Sequence, residues 1–123
     1  MRHPTRAAID RFNSEFRLTE DPHMQDWEIE CANPERVEEF TRYYVENNLD
    51  DDEKFTLMAL ILGSFEEYCE SASPAEGLWR RIKNLLIQDH EIQKTHIVYY
   101  QCRESNDEAE FFSISKRMRE IQH

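Results

Sequence analysis

The sequence predicts an all-α, single-domain fold over residues 1–123: a bundle of about five helices around a buried central helix at residues 52–71. Only two glycines and four prolines occur, which is too little turn material for a many-stranded sheet. Apolar residues recur at spacings of three and four, as they do on the buried faces of helices. The length suits one domain, and 39% hydrophobic residues argue against disorder. Residues 1–4 are expected to be flexible.

The first helix is predicted within residues 5–18. Phe12 and Phe16 share its apolar face, and Thr5 is placed to cap its N-terminus. A polar connector follows. Within it, apolar and acidic residues alternate over 26–31, which favours a short extended segment.

The second helix begins at the Asn-Pro pair of residues 33–34, because Asn is a favourable N-cap and Pro fits the first helical position. Val37, Phe40 and Tyr44 line its buried face, and residues 47–49 end it.

The central helix begins at Asp50, which forms a capping-box pattern with Glu53. Three consecutive aspartates there complement the helix dipole. From Phe55 to Phe65 hardly any position is polar. A helix that is apolar on most sides is surrounded by other helices.

The C-terminal half contains two firmer helix predictions and one ambiguity. Residues 73–76, Ser-Pro-Ala-Glu, form a capping box that starts a helix. The β-branched and aromatic run at 95–100 allows a strand, although the helical neighbourhood favours a helix over 91–102. Residues 103–110 are predicted to form a polar loop. A last helix, capped by Ser113 or Ser115, is expected to bury Ile114, Met118 and Ile121.

The acidic residues are concentrated in one segment. Residues 20–70 hold 16 of the 26 Asp and Glu residues and only three basic ones, so this segment carries −13 while the whole chain carries −11. Such a field attracts basic partners and repels nucleic acid and anionic lipid. We therefore expect a basic protein partner, with no direct nucleic-acid or membrane binding. The alternative is a merely solvated face, although such surfaces usually mix charges of both signs.

No motif for catalysis or metal binding is found in the sequence. Two glycines cannot build a phosphate-binding loop, and Lys94 stands where a zincin that starts at His90 needs its second histidine. Residues 50–53 lack the glycine of a calcium loop. The sequence therefore predicts no catalytic residue, no metal site, no cofactor and no enzymatic activity.

Cysteine usage and hydropathy bear on location. The three cysteines lack paired spacing and are interpreted as reduced thiols. No apolar run approaches the roughly 18 residues of a membrane-spanning helix. The basic residues 1–6 are not followed by the apolar core of a signal peptide. These features predict a cytoplasmic protein.

Candidate partner-binding residues follow from the charge pattern. The acids selected from the second and central helices are Glu38, Glu39, Glu46, Asp50, Asp51 and Asp52. Tyr43 and Tyr44 cannot both face inward on one helix, and Tyr44 continues the buried stripe. Tyr43 is therefore predicted to be an exposed anchor, since tyrosine is enriched at interface hot spots.

Two short segments resemble the DNase-colicin immunity proteins, small acidic helical proteins with which bacteria neutralise their own secreted toxins. Residues 64–68, Ser-Phe-Glu-Glu-Tyr, resemble that family's acidic helix, and residues 97–100, Ile-Val-Tyr-Tyr, resemble its Tyr-Tyr pair. The resemblance implies a bacterial protein whose partner is a toxin domain. It also implies contact roles for Glu66, Glu67, Tyr99 and Tyr100.

Together these features predict a non-catalytic acidic binding protein of immunity or inhibitor type. Its basic partner would be a protein such as a nuclease toxin, whose cleft must bind phosphates. Blockage of that cleft, remote binding and antagonism by DNA mimicry all fit the sequence. The alternative is a helical adaptor or self-associating scaffold that uses an apolar stripe of Leu78, Trp79 and Leu86.

Overall fold

A computed structural model describes residues 2–18, 27–71, 76–102 and 112–121. The described residues form α-helices without any strand, so the all-α prediction is confirmed. In chain order the helices are α1 (Arg6–Phe16), α2 (Trp27–Glu30), α3 (Val37–Glu46), α4 (Asp51–Ser71), α5 (Glu76–Gln88), α6 (His90–Gln101) and α7 (Ser115–Met118). A 3-10 turn at Pro34–Arg36 leads directly into α3.

The long helix α4 is the centre of the bundle. Every residue from Phe55 to Phe65 is buried, and α1, α2, α3 and α6 all pack against this helix. The Phe65 ring also stacks on Trp79 of α5, with 6.0 Å between ring centroids. The predicted buried central helix is therefore confirmed.

Local capping explains where several helices begin. The Thr5 hydroxyl accepts a hydrogen bond from a backbone N–H of the first turn of α1, and Asn33 caps the 3-10 turn in the same way. At the start of α4, Asp50 Oδ1 accepts from the N–H of Glu53 at 2.8 Å. The Glu53 carboxylate accepts from the N–H of Asp50 at 3.0 Å in return. These predicted caps are confirmed.

The prediction of an extended segment near 26–31 is wrong for residues 27–31, which are the described part of it. Trp27–Glu30 is a helical turn, α2, whose backbone packs directly on α4. A Cβ atom placed on Gly63 would lie 2.5 Å from the Glu28 carbonyl oxygen. The Trp27 indole N–H also donates to Asn13 Oδ1 at 2.8 Å. Close packing between the backbones of α2 and α4 thus favours a helical turn over the extended conformation that the alternating pattern predicted.

The helix favoured over 91–102 is confirmed, and the strand that the run at 95–100 allowed is not formed. Residues 90–101 form α6, which buries Gln93, His96, Ile97 and Tyr100 at helical spacing. A single buried face at this spacing outweighs the strand preference of the β-branched residues.

The last helix is shorter than expected, and the predicted serine cap is wrong. Helix α7 is one turn long, and no side chain of its own N-cap residue caps it. The Glu66 carboxylate of α4 instead accepts from the N–H groups of Ser113 and Ile114, at 2.8 and 3.1 Å. The predicted burial of Ile114, Met118 and Ile121 is confirmed. The capping-box residues 73–75 and the loop at 103–110 lie outside the described residues.

Candidate acidic interface

Four exposed acidic residues lie close together in the sequence where α3 ends and α4 begins. Glu46 is the last residue of α3, and Asp50, Asp51 and Asp52 follow it across a short connection. Leu49 is buried within that connection and fixes it to the core. We call Glu46, Asp50, Asp51 and Asp52 the acidic corner.

The carboxylates of the acidic corner differ in how they are engaged. The Asp50 carboxylate caps α4 by accepting from the N–H of Glu53, and Asp52 forms an exposed ion pair with Arg2 at 3.2 Å. Within the described part of the chain, Glu46 and Asp51 form no side-chain hydrogen bond or ion pair. Arg2 is the only described basic residue that forms an ion pair with the corner. This surface therefore keeps a concentrated negative charge.

Elsewhere, bases from the flanking segments neutralise part of the acidic segment. Arg11 of α1 donates to the Glu53 carboxylate and, at 3.2 Å, to the Tyr43 hydroxyl. These two hydrogen bonds raise the pKa of Arg11 further. Arg81 of α5 lies 3.5 Å from Glu38. The net charge of the segment therefore overstates the field at its surface.

Glu38 and Glu39 are both exposed on α3 and both carry an ion pair. Arg36 donates to the two carboxylate oxygens of Glu39 at 2.9 and 2.8 Å. These hydrogen bonds lower the pKa of the Glu39 carboxyl. Arg36 is held in place because it also lies over the Phe40 ring, 5.2 Å from its centroid.

Tyr43 is not the exposed anchor that the helical pattern predicted. It is half-buried, and its ring meets Phe16 and Phe12 edge-on at centroid distances of 5.0 and 6.0 Å. Helix α1 packs over this side of α3 and partly buries a position that flanks the apolar stripe. The signal was available: Tyr43 stands three residues after Phe40, next to the predicted stripe.

The two elements of the immunity-protein resemblance come close together in the fold. Tyr100 is buried, and its pKa is raised first by burial and then by charges that include Glu66. Glu66 and Tyr100 both contact the segment 112–121. The ring centroids of Phe112 and Tyr100 lie 4.8 Å apart, and the Glu66 carboxylate accepts from the N–H group of Ser113. Tyr100 is therefore not open to a partner in this conformation.

The other two residues of that resemblance differ in exposure. Tyr99 is 59% exposed, with its ring 5.2 Å from that of Phe112. Glu67 is half-buried near the end of α4. Tyr99 is thus the most accessible of the four.

The apolar stripe of the adaptor alternative is not a surface. Leu78, Trp79 and Leu86 are all buried in the core, so that part of the prediction is wrong. Within the described ranges, the exposed large apolar residues are spread over four helices: Ile29 on α2, Val45 on α3, Ile87 on α5, and Val98 and Tyr99 on α6.

A hydrogen-bond chain behind the acidic corner was missed by sequence reasoning. The Tyr44 hydroxyl donates to Asp89 at 2.7 Å and accepts from the Gln93 side-chain amide at 3.0 Å. That amide also donates to the Lys54 carbonyl at 3.1 Å. Burial, followed by the hydrogen bond to Asp89, raises the pKa of Tyr44. The one available signal was Gln93, a polar residue one turn before Ile97 on the buried face of α6.

His96 is a buried base whose pKa is shifted. Its Nε2 atom lies 2.9 Å from the Phe55 carbonyl oxygen, and its ring stacks on Phe55 at 3.9 Å between centroids. Burial lowers the pKa of His96 to about 4. The imidazole is therefore neutral at pH 7, and its Nε2–H donates to the carbonyl.

Other chemical groups are sparse in the described ranges. No set of three or more His, Cys, Asp or Glu side chains there is arranged to hold a metal ion. Cys31, Cys69 and Cys102 form no disulfide bond. No helix among the described residues combines the length and apolar character needed to cross a membrane.

Comparisons with protein-family models, curated proteins and solved structures found no match to this chain.

Proposed function

We propose that this protein is a non-catalytic inhibitor of immunity type that binds a basic protein partner through the acidic corner. The partner would be a bacterial nuclease toxin or another protein with a cleft for phosphates. Bacterial origin and a cytoplasmic location belong to this proposal as well.

The observation that carries the proposal is the accessibility of the corner carboxylates. Glu46 and Asp51 are exposed and have no ion-pair partner among the described residues. Exposed carboxylates without an ion-pair partner attract Lys and Arg side chains over a distance of about 10 Å at 0.1 M salt. They raise the rate of association with a basic surface and favour one orientation of the partner.

The paired acids also support binding. The ion pairs of Asp52 with Arg2 and of Glu38 with Arg81 lie on the surface. Exposed pairs of this kind contribute only about 0–1 kcal/mol. A partner can therefore replace Arg2 or Arg81 at little cost to the fold.

The test starts from capture of partners at about 0.1 M salt and release at about 1 M salt, where screening differs most. Binding of the released basic protein is then measured with Glu46→Gln/Asp51→Asn. We expect this double variant to weaken binding at least tenfold, because coupling energies of about 1.5 kcal/mol or more are known for close charge pairs across an interface.

The matched control removes two negative charges elsewhere. Glu15→Gln/Glu30→Gln changes two exposed acids on α1 and α2 that form no side-chain hydrogen bond or ion pair with another described residue. Helix α2 packs near Gly63, about 18 Å along α4 from Asp51. Equal loss of binding in both double variants, or a partner that 1 M salt does not release, would refute a role for the corner.

A further inference from the structure

Helix α5 and the C-terminal residues 112–121 form a basic surface. The described stretches 76–88 and 112–121 hold six basic residues and two acidic ones, a net charge of +4 in a chain that carries −11. Four of these basic residues lie where the two stretches meet, and all four are partly or fully exposed. We call them the basic face: Arg80, Lys83, Lys116 and Arg117.

Two ion pairs show that α5 and the C-terminal stretch run side by side. Arg117 donates to the Glu76 carboxylate at 2.7 Å, and Lys83 lies 3.1 Å from the Glu120 carboxylate. Glu76, Arg80 and Lys83 are spaced four and three residues apart, so they share one side of α5. Arg80 therefore stands between the two ion pairs.

Arg80 and Lys116 give the basic face a positive charge that is not compensated. Both are exposed, and neither forms a side-chain hydrogen bond or ion pair with another described residue. The two acids of these stretches are already paired with the other two residues of the face. The basic face can therefore attract an anionic group.

The basic face and the acidic corner lie far apart within one molecule. The Phe65 ring of α4 stacks on Trp79 of α5, which places the next residue, Arg80, beside the C-terminal half of α4. Asp51 begins α4, and the helix rises about 21 Å from Asp51 to Phe65. This distance exceeds the Debye length of about 10 Å at 0.1 M salt. The two surfaces therefore cannot neutralise each other within one chain.

The surroundings of the basic face favour a compact anionic surface over an extended polyanion. Arg81, next to Arg80, pairs with Glu38 at 3.5 Å, so the acidic helix α3 borders the face on this side. A nucleic-acid duplex carries one charge about every 1.7 Å along its axis and would also meet these acids. The acidic corner holds its four acidic residues in a short stretch. It matches the basic face in the number of charged residues and is opposite in sign.

We propose that the basic face of one copy binds the acidic corner of a second copy, so that the protein associates head to tail. Because the two surfaces differ, a pair of chains leaves one of each unoccupied, and further copies add until a ring closes. Self-association does not depend on the proposed function. One consequence rests on that function: the basic partner and a second copy compete for the same corner.

Salt tests the electrostatic origin of this association. Chains that each carry −11 repel one another at about 0.01 M salt, where the Debye length is about 30 Å, whereas the two surfaces attract each other at short range. Sedimentation velocity of the wild type should therefore show most self-association near 0.1 M salt and none at about 1 M salt. Monomers at all three salt concentrations, or oligomers that persist at the highest, would refute the proposal.

Two variants that each lack one surface test the pairing. Arg80→Gln/Lys116→Gln removes the unpaired charges of the basic face, and Glu46→Gln/Asp51→Asn removes those of the corner. Each alone should self-associate at least about tenfold more weakly than the wild type, because it has lost close charge pairs across the contact. An equimolar mixture should form a 1:1 dimer, since each variant keeps the surface that the other lacks. A mixture that stays monomeric would contradict head-to-tail pairing.

The matched control for the basic face is Arg17→Gln/Lys94→Gln. It removes two exposed basic residues from α6 and from the end of α1, so it changes the net charge by the same amount. We expect it to associate as the wild type does, and a loss equal to that of Arg80→Gln/Lys116→Gln would show that the basic face has no special role. Binding of a short DNA duplex that Arg80→Gln/Lys116→Gln abolishes would assign the face to a polyanion instead.

Binding of the basic partner separates this inference from the proposed function. Arg80→Gln/Lys116→Gln should bind the partner at least as tightly as the wild type, because its corner is intact. An excess of the partner should dissociate wild-type oligomers, and oligomers that keep their size with partner bound would refute competition. A wild type that stays monomeric refutes self-association alone. Partner binding that Glu46→Gln/Asp51→Asn leaves unchanged refutes the proposed function.

Discussion

Tyr44 and Gln93 connect three helices through one chain of hydrogen bonds. Tyr44 comes from α3, Gln93 from α6, and their acceptors are Asp89 and the Lys54 carbonyl at the start of α4. Because Tyr44 and Gln93 are both buried, water cannot replace a lost partner freely. This chain of hydrogen bonds therefore sets the relative positions of α3 and α4, on which the geometry of the acidic corner depends.

Tyr44→Phe should lower the free energy of unfolding by about 1–3 kcal/mol, because Asp89 Oδ2 loses a donor and the Gln93 amide loses one of its two acceptors in a buried site. Urea unfolding measures this loss. Tyr43→Phe is the comparison, since it removes a hydroxyl whose one described partner is Arg11 and which lies on a half-buried side chain. A loss of stability in Tyr44→Phe no larger than that in Tyr43→Phe would show that this chain of hydrogen bonds contributes little to stability.

His96 makes stability depend on pH below neutrality. Its folded-state pKa of about 4 lies below the ordinary value of 6.5, so the unfolded chain binds the proton more tightly between these values. Stability is unaffected well above pH 6.5 and falls as the pH drops from 6.5 towards 4. The loss at pH 5 should be on the order of 2 kcal/mol.

Urea unfolding at pH 7.5 and pH 5 isolates this contribution. The difference in the free energy of unfolding between the two pH values should be smaller in His96→Gln than in the wild type. His3→Gln, at an exposed position, should behave as the wild type. Parallel behaviour of all three proteins would contradict a neutral buried imidazole.

Packing between α2 and α4 depends on the absence of a side chain at Gly63. The Glu28 carbonyl oxygen occupies the place where a Cβ atom would be. Gly77, near the start of α5, has open space around the same position. The two glycines of the chain therefore have opposite roles in stability.

Gly63→Ala should destabilise the protein by about 1–3 kcal/mol, because backbone atoms of α2 must move to admit the methyl group. Gly77→Ala should stabilise it by up to about 1 kcal/mol through helix propensity. Thermal unfolding of both variants distinguishes these signs. Stabilisation by Gly63→Ala would mean that α2 does not pack on α4 as described.

The distribution of charge over the folded chain decides how salt acts on stability. The protein carries −11 at pH 7, while the ion pairs between segments are mostly on the surface, where each contributes about 0–1 kcal/mol. Self-repulsion among the excess carboxylates opposes folding. Screening relieves this repulsion more than it weakens the exposed pairs.

The melting temperature at pH 7 should therefore rise between about 0.01 and 0.2 M salt, over which the Debye length falls from about 30 Å to less than 10 Å. At pH 4.8, the isoelectric point of the sequence, the same change of salt should have a much smaller effect. A melting temperature that falls with salt at pH 7 would show that the ion pairs between segments outweigh repulsion.

Periodicity and capping chemistry in the sequence determined most of the longer helices. The apolar run of α4, the Asp50–Glu53 cap and the faces of α1, α3 and α5 are local features, in which neighbouring residues specify the conformation. The concentration of acidic residues was equally visible. These features were sufficient for the all-α bundle and for the choice of the acidic corner.

Tertiary structure decided everything that depends on residues far apart in the chain. Arg2, Arg11 and Arg81 are brought to the acidic segment by the fold and neutralise part of its charge. Helix α1 partly covers Tyr43, Phe112 packs on Tyr100, and Glu66 accepts from the N–H groups of Ser113 and Ile114 before α7. Local patterns report which face of a helix is apolar, whereas exposure and charge pairing are set by what packs against that face.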